Sequence, residues 1–259
     1  MATFSSGGLS IAYDDIRPGG PSAGTIVLAH GFATNRSEMW RRMGWYGALE
    51  RKGYRTIALD LRGHGESDKP HDPSAYAGEA LLGDVLGLMD HLGIERADLM
   101  GYSMGARLAL QAALAHPERI ANLIIGGVGG RMLAAEEGSQ SALANMADAM
   151  EAQDSETIAD PILKSFRLFA EEQGADLLAL AAFTRGRGGS FDPAELGRLT
   201  TPTLVVAGVR DDLAGDPQAL ADAIPGARAT TLPGCDHFSA IGHALYKGAV
   251  FDFLEGWLE

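Results

Sequence analysis

The stretch ADLMGYSMGARLALQAALA, residues Ala97–Ala115, changes character at a single serine. Ahead of Ser103 stands an apolar run, Ala97–Tyr102, with the length of a buried strand. Behind it, Met104–Ala115 is too long for a strand and rich in alanine and leucine, which are good helix formers. Ser103 therefore sits at a strand-to-helix corner, between Gly101 and Gly105. Glycine permits the tight turn and the close packing of helix on strand that a side chain would block. A serine hydroxyl is a weak nucleophile until a base assists it. At a corner, its side chain is lifted clear of the backbone, and the free N–H groups of a helix N-terminus lie where an oxyanion would form.

Outward from this corner the text alternates. Strand-like runs recur at Leu9–Tyr13, Thr25–Ala29, Arg55–Leu59, Ile120–Gly126, Thr203–Ala207 and Ala227–Leu232. Helical stretches fall at Ser37–Arg51, Ala75–His91, Pro217–Ala223 and Ala240–Leu258. Alternating strands and helices predict an α/β protein, a mostly parallel sheet flanked by helices on both faces. From Arg131 to Leu199 no strand is convincing, and the text is amphipathic helix. The expectation is a core of residues 1–130 and 200–259 with residues 131–199 as an inserted helical cap, folded over the carboxyl ends of the strands where ligands bind in open α/β sheets. Met146, Met150, Phe166, Phe169 and Phe183 are its pocket or packing candidates. Thr184–Ser190, TRGRGGS, reads as a loop, with Arg185 and Arg187 as possible contacts for an anionic substrate.

Composition narrows the class of function. In 259 residues, 46% hydrophobic content supplies a substantial core, and a net charge of −13 with no basic cluster argues against nucleic acid or an anionic membrane surface as partner. The opening MATFSSGGLSIAYDD has neither a basic nor an apolar leader segment, and no run approaches spanning length, which predicts a cytoplasmic protein. The single cysteine, Cys235, forms no internal disulfide and no metal cluster; it reads as a small buried filler. No cofactor and no metal are called for, and the sequence does not speak to oligomeric state.

If Ser103 is the nucleophile, a base and an acid must follow, and both stand after strands. His237 follows ATTLPGC and Asp211 follows TLVVAGVR. Imidazole titrates near neutrality, so His237 can take the serine proton and return it to the leaving group, while a buried carboxylate fixes its tautomer. His71, His91, His116 and His243 lie in loops or helices without that context; His30 and His64 belong to loop motifs of their own. Asp212 and Asp236 remain rival carboxylates. An oxyanion hole needs two backbone donors, and Met104 N–H and Phe32 N–H, just past the strand ending at His30-Gly31, are the candidates.

HGFA (His30–Ala33), DLRGHGES (Asp60–Ser67), GYSMGA (Gly101–Ala106), GVRDDLAG (Gly208–Gly215) and GCDHF (Gly234–Phe238) occur in the order and spacing of the α/β-hydrolase superfamily. Over nearly its whole length the chain resembles the small-capped bacterial branch with esterases, enol-lactonases, cofactor-free haloperoxidases and carbon–carbon bond hydrolases. The resemblance implies the α/β-hydrolase fold, a Ser103, Asp211, His237 triad, and DLRGHGES as a loop-stabilising motif beneath the site. In that family the acid commonly follows the strand-closing glycine by three residues, which carries over from Gly208 to Asp211. The acid loop RDDLAGDP departs from relatives with an apolar pair and an earlier proline, so Asp212 stays open. Serine at the elbow, in place of aspartate, is unlike dehalogenases and epoxide hydrolases. The leading expectation is a serine hydrolase, a carboxylesterase or lactonase, acting on a small, mainly apolar ester, lactone or thioester. Carbon–carbon hydrolysis of a diketone and a non-catalytic ligand receptor on the same fold are the alternatives.

Overall fold

The computed structural model describes residues 2–133, 139–186 and 193–257. Among these residues one sheet contains β1 (Ala2–Ser6), β2 (Leu9–Ile16), β3 (Gly24–Ala29), β4 (Tyr54–Leu59), β5 (Ala97–Tyr102), β6 (Ile120–Gly126), β7 (Thr203–Gly208) and β8 (Arg228–Leu232), in the spatial order β1-β2-β4-β3-β5-β6-β7-β8. β2 is antiparallel to both β1 and β4, and every pairing from β4 across to β8 is parallel. β5 and β7 are buried at every position, as strands covered on both faces must be.

Helices cover the two faces. α1 (Trp45–Arg51) and α8 (Ala244–Leu254) bury Trp45, Leu49, Tyr246 and Val250 against Leu28, Met100, Ile124 and Val206. α2 (Gly78–His91), α3 (Met104–Ala115) and α7 (Pro217–Asp222) bury Val85, Leu88, Leu110 and Leu220 against Val27, Leu99, Ile125 and Val205 on the opposite face. Alternate residues of each strand thus feed two separate cores, as the pleat requires.

The described residues between β6 and β7 form only helices, chiefly α4 (Ser139–Glu151), α5 (Pro161–Glu172) and α6 (Leu177–Gly186). Ala147, Met150, Ala170, Leu180 and Ala181 pack together there and meet the rest of the molecule at Ala33, with Met146, Phe166 and Phe169 half-buried around them. Met150 and Phe183 are packing residues, both 1% exposed. Among the described residues no helix is long and apolar enough to cross a membrane.

Several element boundaries differ from expectation, each for a local reason. The helix expected over Ser37–Arg51 breaks at Gly44, whose φ of 76° is left-handed; a π-helical turn, Ser37–Arg41, precedes it. The stretch expected over Ala75–His91 begins with a 3₁₀ turn, Pro73–Tyr76, capped by the Asp72 carboxylate on Ser74 N–H, before α2 starts at Gly78. Thr184–Gly186 belongs to the end of α6 and is no loop; Arg187–Ser190 lie outside the described residues. The last helix stops at Leu254, and Leu258 is outside the described residues.

Candidate active site

The sheet order reverses at β3, which has β4 on one side and β5 on the other; Ala29 pairs with Leu59 and with Gly101. Chains leaving β3 and β5 diverge there and open a crevice at their carboxyl ends. The residues that follow are His30-Gly31-Phe32 and Ser103. A Cβ built on Gly31 would lie 3.4 Å from the Tyr102 carbonyl oxygen and 3.6 Å from Ser103 Cβ, so the two exits stand side by side.

Ser103 holds φ 54° and ψ −111°, a backbone state that costs a non-glycine residue about 1–3 kcal/mol. Its surroundings enforce it. Ser103 N–H donates to the Gly126 carbonyl at 2.7 Å, extending the β5–β6 ladder, while the Ser103 carbonyl already accepts from Ala106 and Arg107 in the first turn of α3. A Cβ on Gly105 would run into the Ala29 backbone, and one on Gly101 into the Gly105 carbonyl. The two glycines let α3 lie directly on the strands and force the corner.

His237 and Asp211 arrive from the loops after β8 and β7. His237 Nδ1 lies 2.9 Å and 3.0 Å from the two Asp211 carboxylate oxygens, and His237 Nε2 lies 3.0 Å from Ser103 Oγ. With the proton on Nδ1, where the carboxylate accepts it, Nε2 keeps its lone pair toward the serine hydroxyl. Asp211 is 3% exposed, and its Oδ1 also accepts from Leu213 N–H at 3.1 Å and Ala214 N–H at 2.9 Å. The rival carboxylates are elsewhere. Asp212 is exposed, and Asp236 is turned back on its own loop, accepting from Phe238 N–H and from the Ser239 N–H and hydroxyl.

Phe32 N–H and Met104 N–H make no hydrogen bond to an acceptor among the described residues. The loop carrying Phe32 is held from below. His30 Nδ1–H donates to Gly31 O at 2.7 Å, and Nε2 accepts from Leu61 N–H at 3.0 Å. Burial pushes the His30 ring down to about 4 and the neighbouring His64 ring, 5.1 Å away, down to about 3, so both are neutral. Asp60 ties the β4 exit to the same loop by accepting from Arg36 N–H at 2.7 Å and Glu66 N–H at 2.8 Å and by pairing with the Arg36 guanidinium. Arg62 forks onto Asp84 with two bonds of 2.6 Å.

The sequence reading missed two residues. Tyr102, next to the nucleophile, donates its hydroxyl to the His237 carbonyl at 2.7 Å; burial raises that phenol well above its usual range, so it stays a donor. Phe238 stands edge-on to the His237 ring, centroids 5.6 Å apart, and reaches Phe166 and Phe169 of α5. Its place directly after the histidine was the available signal. Arg185 pairs with Glu151 and Asp148 at the surface and is no free receptor for an anion; Arg187 lies outside the described residues. Cys235 is buried behind Gly208 as filler.

Comparison with known proteins bears on the fold that carries these side chains. The model of the α/β hydrolase fold family matches residues 24–161, more than half of the chain. The chain belongs to the α/β hydrolase fold family. Among solved structures it is similar to a hydrolase from Pseudomonas aeruginosa PA01, with 28% identity, a TM-score of 0.79, and coverage of 98% of this chain and 97% of the other. It is also similar to the enol-lactonase from Burkholderia xenovorans LB400, again 28% identical, with a TM-score of 0.73 over 98% of this chain and 100% of the other. Among curated proteins, epoxide hydrolase 3 of Siraitia grosvenorii is 41% identical over 99 residues, 38% of this chain and 30% of that protein. The chain thus spans less than a third of the length of that relative.

Proposed function

We propose that this α/β hydrolase is a serine hydrolase that cleaves a small, mainly apolar carboxylic ester or lactone through an acyl-enzyme on Ser103. The observation that carries the reading is the unbroken line Asp211–His237–Ser103, with contacts of 2.9 Å and 3.0 Å. In this mechanism Ser103 Oγ attacks the substrate carbonyl carbon while its proton passes to His237 Nε2. The carbonyl oxygen becomes an oxyanion facing Phe32 N–H and Met104 N–H. As the carbon–oxygen bond to the leaving group breaks, His237 gives its proton to the departing oxygen. Water then enters with His237 as base, attacks the acyl carbon and frees Ser103 and a carboxylic acid. Asp211 holds the imidazole in the required tautomer and stabilises the imidazolium. Residues 131–199 act as the cap that shapes the pocket, and the apolar residues of α5 near the site suit an uncharged substrate.

Epoxide opening is the second reading, favoured by the 41% identity to epoxide hydrolase 3 over part of the chain. Chemistry at the corner disfavours it. A carboxylate that opens an epoxide leaves an ester that water can hydrolyse, whereas Ser103 Oγ would leave an alkyl ether, which His237 and water do not cleave. The test is a fluorophosphonate probe together with p-nitrophenyl acetate and styrene oxide as substrates. Wild type should take up one probe per chain and turn over the ester, and Ser103→Ala should do neither, with kcat lower by on the order of a million-fold, the scale of triad removals in other enzymes. Full labelling of Ser103→Ala, or diol formation from styrene oxide without ester turnover, would overturn the proposal.

A further inference from the structure

We infer that Phe238, backed by Phe166 and Phe169, forms a subsite for a planar aromatic leaving group. The inference rests on the acyl-transfer reading above and names the substrate class for it.

Position comes first. In acyl transfer His237 Nε2 hands its proton to the departing oxygen, so the leaving group must lie against the imidazole. Two rings stand 5.6 Å from that imidazole, Tyr102, which is buried, and Phe238, which is perpendicular to it at 88° and exposed, so Phe238 is the one a ligand can meet. Phe32 marks the other side, since its N–H faces the oxyanion in the proposed mechanism. Phe166 spans the two, 6.2 Å from the Phe32 ring and 6.0 Å from Phe238. The rings of Phe32, Phe166, Phe238 and His237 therefore form an unbroken series of neighbours that ends at the imidazole meeting Ser103 Oγ, and Ser103 is itself half-buried and reachable.

Exposure and chemistry follow. Phe238 has three aromatic neighbours, counting Phe169 at 5.7 Å, yet 48% of its surface is still open. A ring held in place on several sides and open on another is preorganised to receive a further group. Ile162, Phe166 and Phe169 share one face of α5 at helical spacing, so the apolar surface continues along the helix. The carboxylate nearest in sequence, Asp236, is occupied by the Ser239 and Phe238 N–H groups and does not compete for the space. Aromatic rings prefer edge or offset contact at centroid distances of roughly 4.5–7 Å, the spacing this cluster already uses. A saturated ring of the same size would bury similar area without the matching quadrupole. The preference should therefore follow aromaticity, not size alone.

Benzyl acetate and cyclohexylmethyl acetate separate these terms, because both release a primary alcohol of similar basicity and differ in the ring. The parameter is kcat/KM, which reports acylation, the step in which the alcohol leaves. Wild type should favour the benzyl ester by about three- to ten-fold, the range of a single aromatic contact. Phe238→Leu should bring the ratio to within about two-fold of one, and Phe238→Trp, which restores an aromatic face, should keep it. Equal kcat/KM for the two esters in wild type, or an unchanged ratio in Phe238→Leu, would overturn the subsite and leave the rings as a tie between α5 and the core. If neither ester is cleaved and Ser103 takes no fluorophosphonate, the acyl-transfer reading fails and the subsite with it.

Discussion

Asp211, Asp212 and Asp236 are one residue type within a short span of sequence, and their surroundings divide them sharply. Only Asp211 is buried and faces His237 Nδ1, with Leu213 and Ala214 N–H groups holding its Oδ1. Asp211→Asn should keep the side-chain shape yet present an amide to Nδ1, favouring the wrong imidazole tautomer; kcat should fall by roughly ten-thousand-fold, as in other triads. Asp212→Asn and Asp236→Asn should each cost less than about ten-fold in the same ester assay, since neither carboxylate reaches the ring. A crippled Asp212→Asn beside a mild Asp211→Asn would mean that the acid loop rearranges to present its neighbour. The serine was legible from its flanking glycines, because those glycines exist for the corner. The choice of Asp211 over Asp212 rested on a register carried over from the family resemblance, and the contacts of Tyr102 and Phe238 join residues from separate elements that local text does not relate.

At the scale of elements, the parallel strands were the most legible, being apolar runs bounded by turn residues. β1, ATFSS, was not, because an exposed edge strand with one buried residue owes its existence to pairing with β2. Arg167 is a second case. It sits in the middle of α5, where an arginine reads as a solvated position, but its side chain is buried and one guanidinium nitrogen donates to the carbonyls of Ala149, Met150 and Ala152 at 2.7–3.0 Å. Ala149 and Met150 lie in the last turn of α4 and Ala152 just past its end, so one charge caps a neighbouring helix and locks α4 to α5. Arg167→Met keeps the bulk and removes the donors; it should destabilise the protein by about 2–3 kcal/mol in denaturant unfolding, the range for lost charge-assisted bonds. A wild-type midpoint in that variant would show that water satisfies the three carbonyls and that packing alone holds the two helices.

For the whole molecule, the switch in strand order that opens the crevice also decides how the protein responds to acid. The exits of β3 and β4 are pinned to each other by buried neutral imidazoles, His30 pushed down to about 4 and His64 to about 3, both by desolvation. In the unfolded chain each ring binds its proton near about 6.5. As pH falls, the unfolded state therefore takes up protons first, so this contribution to stability is complete above about 6.5 and is lost as pH drops toward 4. Two rings give a slope of up to about 2.7 kcal/mol per pH unit within that window. Other effects run the opposite way. Asp60, whose carboxyl burial raises against the pull of the Glu66 and Arg36 N–H groups, and Asp98, likewise raised by burial, bind their protons earlier when folded, and lower pH relieves the repulsion behind a net charge of −13. Salt screens the surface repulsion and leaves the buried rings and carboxyls untouched, and near pH 6 the imidazoles are the side chains that titrate in the unfolded chain. Urea unfolding between pH 7.5 and 4.5 at high ionic strength should therefore show a plateau that breaks downward below about 6.5. A stability that stays level to pH 4.5 would mean that the two imidazoles cost the folded protein nothing that the buried carboxyls do not return, and acid sensitivity set by the β3 and β4 exits would have to be abandoned.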